Sequence, residues 1–164
     1  MYERVLLAFD GTLEGGIALR EGAILARRCG AQVFLLSVVD DSGGVRLAES
    51  AYAGVVGDLT EKSRQVLEMG VARLTALGMA PTPKLLVGEP AKVIGTYARE
   101  VRADLVVVGH HKRNMLERWW SGSGPTGAYL CDHVGCTVII ARNAISDQAF
   151  EKAMTAAAAP AEPA

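Results

Sequence analysis

The sequence has little cysteine, no excess of charge of either sign and no apolar run long enough to cross a membrane. Its three cysteines, Cys29, Cys131 and Cys136, are odd in number and show neither Cys-x-x-Cys spacing nor paired metal-ligand spacing. A disulfide framework is therefore not expected, and a reducing compartment is. Lys and Arg total 17 against 18 for Asp and Glu, a net charge of -1, so nothing draws the chain broadly to a phosphate backbone or an anionic membrane surface. A nucleic-acid partner is accordingly not expected. The apolar runs stop well short of the ~20 residues of a membrane span, and Met1-Tyr2-Glu3-Arg4 lacks the basic start and long apolar stretch of a secretory signal. These absences predict a cytoplasmic protein without membrane insertion.

What is present suits one packed domain. A chain of 164 residues that is 50% hydrophobic can bury one substantial core. Val5-Leu6-Leu7-Ala8-Phe9 is a short continuous apolar run closed by Asp10-Gly11-Thr12, the pattern of a strand buried on both faces and then a turn. The spacing over 13–29 predicts a helix that stops at Gly30. A second buried strand follows over 33–39, with a polar, glycine-containing exit loop. Residues 45–56 show no winning period and read as a connector with some helix. A helix is predicted over 58–77, a strand over 84–87 ended by Gly88-Glu89-Pro90, a helix over 91–102, a strand over 104–109, a helix from about Thr126 to His133 and a fifth strand over 137–141. Residues 146–158 have helical character, and the Ala-Pro-Ala-Glu-Pro-Ala end has too little apolar surface to order itself.

Strands alternating with helices need crossover connections, which lay helices on both faces of a parallel sheet. The predicted fold is α/β: a doubly wound, five-stranded parallel sheet in three α/β/α layers, flavodoxin- or Rossmann-like. Ligands in such sheets bind outside the carboxyl ends of the strands where strand order reverses, which directs attention to the loops after Phe9, Val39 and Val108.

Three segments carry a family resemblance: Val5-Leu6-Leu7-Ala8-Phe9-Asp10-Gly11-Thr12, Gly88-Glu89-Pro90-Ala91, and Asp104-Leu105-Val106-Val107-Val108-Gly109 leading to Val138-Ile139-Ile140-Ala141-Arg142. In order and spacing they resemble the universal stress protein family, an adenine nucleotide alpha-hydrolase-like domain, over residues 1–142. Residues 143–164 fall outside the resemblance as a C-terminal extension, a short helix and then a disordered end. The resemblance implies a homodimer formed through the last strand, Thr137 to Arg142. For part of the family it implies ATP or AMP over the strand ends, with Mg accompanying the phosphates and no cofactor required for the fold.

Nucleotide-binding members carry Gly, two residues, Gly, nine residues and then Gly-Ser or Gly-Thr; here Gly109, Lys112 and Gly122-Ser123 hold that spacing, with lysine at the second glycine. Glycines there let the backbone approach phosphate oxygens, while loop amides and the next helix N-terminus donate to them. Lys112 either blocks the phosphates or supplies a cation to them. The Gly122-Ser123-Gly124-Pro125-Thr126-Gly127 stretch is longer than the family's usual join, and counting back from Cys136 aligns Gly124 with the third glycine instead. In either register Ser123 or Thr126 can cap the following helix.

The resemblance directs Asp10 to the ribose or phosphate side of the ligand and the backbone around Val38 to the adenine edge, with Ala8, Phe9 and Val108 at the same strand ends. Read from the residues alone, Asp10 is a turn residue capping the first helix, and Phe9 is core. His110 and His111 are adjacent and have no third ligand at metal spacing, so no metal site is expected. Trp119 and Trp120 read either as a lid or interface contact or as packing against the loop's own helix, and Lys112, Arg113 and Arg118 make that loop basic. Cys131 and Cys136 are expected to bury as small apolar residues.

The functional expectation is an adenine-nucleotide-binding stress-response or signalling module with a protein partner. The alternative is a docking module that holds no nucleotide. A slow ATP hydrolase ranks below both, because no positioned attacking group, phosphate-side metal carboxylate or His-x-x-His motif is present and no catalytic residue can be named.

Overall fold

The structure, a computed structural model, describes residues 1–40, 53–110 and 126–156. Its elements are β1 (Arg4–Ala8), α1 (Leu13–Cys29), β2 (Gln32–Val39), α2 (Ala53–Ala76), β3 (Thr82–Val87), α3 (Pro90–Glu100), β4 (Leu105–Gly109), α4 (Thr126–His133), β5 (Thr137–Ala141) and α5 (Asp147–Ala156). The five strands form one sheet in the order β3-β2-β1-β4-β5, parallel throughout. From β1 the chain winds outward through β2 to β3, then returns past β1 to β4 and β5. Strand order therefore reverses between β1 and β4.

Both faces of the sheet are covered, which is why the strands read as unbroken apolar runs. Val5, Leu7, Phe9, Leu35 and Val107 pack under Ala18, Leu19 and Ala23 of α1 and Leu67 and Leu74 of α2. Leu6, Phe34, Leu36, Val106 and Val108 face Ile94, Tyr97 and Ala98 of α3 and Leu130 of α4. Successive strand residues alternate between the two clusters, as the pleat requires.

Helix α1 has the predicted bounds because both ends are locally encoded. Thr12 caps its start, and Gly30 ends it in the left-handed conformation at φ 62°. Helix α2 begins at Ala53 rather than at 58. Its first turns hold Gly54, Val55, Val56 and Gly57, poor helix formers, but extending an established helix costs far less than starting one. Residues 45–52 of the ambiguous stretch lie outside the described residues. Strand β3 takes in Pro83, which reads as a break in sequence but is tolerated on an edge strand.

Beyond residue 142, α5 docks on α1. Phe150 and Met154 close over Ile24 beside Leu77 and Met79, and Ser146 Oγ accepts from the Ala149 amide at 3.3 Å. Arg20 ties the helix down: it pairs with Asp147 at 2.5 Å, donates to the Ile145 carbonyl at 3.2 Å and lies 4.9 Å above the Phe150 ring. The burial expected for Cys131 does not hold. It is exposed on α4, while Cys136, in the turn before β5, is half-buried. The helix period there gives its inward position to Leu130 instead. Among the described residues no helix is long and apolar enough to cross a membrane.

Candidate functional site

The site lies at the reversal, where the carboxyl ends of β1, β2 and β4 meet the start of α1. Register brings Leu7 beside Val107, so Ala8 and Val108 follow as neighbours. Together with Val38 they turn small side chains to the α3/α4 face. Phe9 points the other way: its ring is buried against α2, where a β-carbon on Gly70 would stand 2.8 Å from it. Phe9 thus offers the mouth only its main chain.

Asp10 does not cap α1, contrary to the reading from its local sequence. The turn through Gly11, at φ 77°, sets Thr12 in extended backbone immediately before the helix. It is the Thr12 hydroxyl that accepts from the Gly15 amide, at 3.1 Å. The same hydroxyl donates to Asp10 Oδ1 at 2.6 Å, and the Thr12 amide donates to that oxygen at 3.0 Å. Asp10 is exposed, with both described bonds at Oδ1. Its carboxylate is fixed over the positive end of α1, where a negative charge is stabilised.

Two glycines make this arrangement fit. Gly15 has no side chain where the Asp10 carboxylate lies. Gly109 ends β4 against the first turn of α1, and a β-carbon there would stand 2.6 Å from the Glu14 carbonyl and 2.9 Å from the Gly15 nitrogen. Gly109 was expected to serve close approach to phosphate; within the described residues its closest constraint is helix α1. After it the His110 amide donates to the Ala141 carbonyl at 2.9 Å, carrying the β4 and β5 pairing one residue further.

Ser37, near the end of β2, was not anticipated. It is fully buried, and its hydroxyl donates to the Phe9 carbonyl at 2.7 Å. The signal was a single hydroxyl inside Leu35-Leu36-Ser37-Val38-Val39.

The structure therefore gathers Ala8, Phe9, Asp10, Val38, Val108 and Gly109. Lys112, Gly122, Ser123 and Gly124 lie outside the described residues, as do His111, Arg113, Arg118, Trp119 and Trp120, and Thr126 is known as the first residue of α4. Ionisable groups with displaced pKa include none of the residues gathered at the mouth. Burial, and then the charge of Asp104, raise the Cys136 thiol at the opposite end of the sheet, and burial raises the Tyr97 phenol on α3. Lys92 is raised by its ion pair with Glu89, at 2.7 Å on the first turn of α3. No cluster able to hold a metal ion occurs among the described residues.

The model of the universal stress protein family matches residues 1–142. A putative universal stress protein of Staphylococcus epidermidis is 28% identical over 157 residues, covering 92% of this chain and 90% of its own. Among solved structures, the universal stress protein UspA of Lactobacillus plantarum is similar with a TM-score of 0.72 at 24% identity, over 86% of this chain and 98% of that one. A universal stress protein family member of Arabidopsis thaliana with AMP bound has a TM-score of 0.61 at 18% identity, over 89% of this chain and 94% of that one.

Proposed function

Because the chain belongs to the universal stress protein family, we propose that it holds an adenine nucleotide of the ATP or AMP kind across the ends of β1, β2 and β4, and that it serves as a regulatory module of the stress response in the cytoplasm, without catalytic turnover. The observation that carries this reading is the Asp10 carboxylate, braced by Thr12 over the start of α1 where strand order reverses. A carboxylate accepts hydrogen bonds, so it suits the hydroxyl donors of a ribose. It also already occupies the positive end of α1, and a phosphate brought to that helix would meet like charge. The phosphate end is therefore directed away from α1 toward the start of α4, and the base toward the main chain of Val38 above Ala8 and Val108. A family member of the same fold that has AMP bound supports the ligand class.

A homodimer through β5 belongs to the same proposal. Ile140 is 38% exposed on this edge strand, with Val138 and Ile139 half-buried beside it, and an apolar open edge is relieved by pairing. A protein partner would then read the nucleotide state of the dimer.

Mass spectrometry of small molecules released from the purified native protein, with thermal shifts in millimolar AMP, ADP and ATP, tests the reading. Binding raises the melting temperature by mass action. An adenine nucleotide in the eluate and a shift lost in Asp10→Ala are expected. An empty eluate and flat melting curves would refute nucleotide binding.

A further inference from the structure

Ser37 is the buried polar side chain of the described core, 1% exposed. Its surroundings give the hydroxyl a particular place in the sheet. Strands β1 and β2 pair from Arg4↔Gln32 to Ala8↔Leu36, and the Phe9 amide donates to the Leu36 carbonyl at 2.9 Å. In a parallel ladder, the residue two beyond such an acceptor sends its amide back to the partner strand. The next rung would therefore run from the Val38 N–H to the Phe9 carbonyl. That carbonyl accepts from Ser37 Oγ at 2.7 Å. On the other edge of β2, the Val39 carbonyl turns to β3 and accepts from the Gly88 amide at 3.0 Å. By the same alternation the N–H and C=O of Val38 turn toward β1, beyond the end of the β1 ladder.

We propose that Ser37 is a positioning residue whose hydroxyl takes the rung that the Val38 amide would otherwise fill, ending the β1–β2 ladder one step early and leaving the Val38 main chain to the donor–acceptor edge of a purine base. The role rests on the nucleotide reading above. It follows from two features of the sheet, the buried hydroxyl and the register. An adenine edge carries a donor beside an acceptor, and a strand residue offers the complementary pair on one side. An aliphatic side chain at 37 would leave the Phe9 carbonyl to recapture the Val38 amide, since a buried carbonyl is costly to leave without a donor.

The test is Ser37→Ala, read by amide hydrogen exchange on the ligand-free protein and by calorimetry with AMP. In the variant the Val38 amide exchanges about tenfold more slowly, relative to Leu35 and Leu36, and AMP affinity falls about tenfold, the worth of one hydrogen bond. A merely structural serine would instead speed exchange at all three positions together, and that result overturns the proposal. AMP binding that survives Ser37→Ala overturns this role alone. A wild-type protein that fails to bind AMP overturns the nucleotide reading and the role with it.

Discussion

The carboxylate of Asp10 fills the space that a side chain on Gly15 would need. Glycine at the third position of α1 and aspartate at the end of β1 are thus one feature, joined through the Thr12 hydroxyl. The obstructing atom is the end of a short rotatable side chain, and alanine favours helix over glycine by about 1 kcal/mol. Gly15→Ala should therefore leave the melting temperature within a few degrees of wild type while displacing the carboxylate. AMP affinity measured by calorimetry should drop about tenfold, as for one lost hydrogen bond to a charged group.

Gly109→Ala meets a different obstacle. The atoms in the way are the main-chain carbonyl of Glu14 and the nitrogen of Gly15, at 2.6 and 2.9 Å. They cannot move without carrying the capped end of α1 with them. A loss of about 1–3 kcal/mol is expected, as for other overpacked sites, seen as a lower urea midpoint with an unchanged slope.

Helix α5 holds to α1 mainly through Phe150 and Met154. Its ion pair from Arg20 to Asp147 is largely exposed and should contribute under about 1 kcal/mol. Phe150→Ala should release the helix as a local unit. Amides over 147–156 should exchange at least about tenfold faster, with those of β1 and β4 unchanged, while Arg20→Ala should have a smaller effect in the same measurement.

Burial raises the pKa of the Cys136 thiol, with Asp104 adding to it, and burial raises that of the Tyr97 phenol. For both groups the folded state favours the neutral form. Stability is therefore complete below the unfolded values, about 8.5 for cysteine and about 10 for tyrosine, and is lost as pH rises through the higher folded values. Urea midpoints should be level up to about pH 8 and fall above it, and Cys136→Ser should flatten the first part of the fall. At pH 8 a thiol alkylating reagent should modify exposed Cys131 before Cys136.

Much of the fold was legible because its signals are consecutive. A run such as Leu105-Val106-Val107-Val108 is written within one strand, and the stop of α1 is written in Gly30, while its cap, expected at Asp10, falls at Thr12. The start of α2 and the first residues of β3 were not legible, because glycine, valine and proline are disfavoured locally and acceptable only on an extended helix or a sheet edge. At the site, Ala8, Asp10, Val38, Val108 and Gly109 could be named from strand ends and family pattern, while Ser37 could not, since a lone serine in an apolar run does not say which carbonyl it will face.

By itself, the sequence determined the alternation of buried strands and helices, and with it a parallel sheet whose strand ends collect near Asp10 and Gly109. Tertiary structure alone decided that Gly109 yields to helix α1, that the Phe9 ring turns into the core, and that α5 closes over Ile24. The physical reason is separation along the chain. Backbone preference is set by neighbouring residues, but the partner of a buried polar group or the neighbour of a β-carbon can belong to a distant strand or helix, and only the assembled sheet brings Gly109 to Glu14 and Ser37 to Phe9.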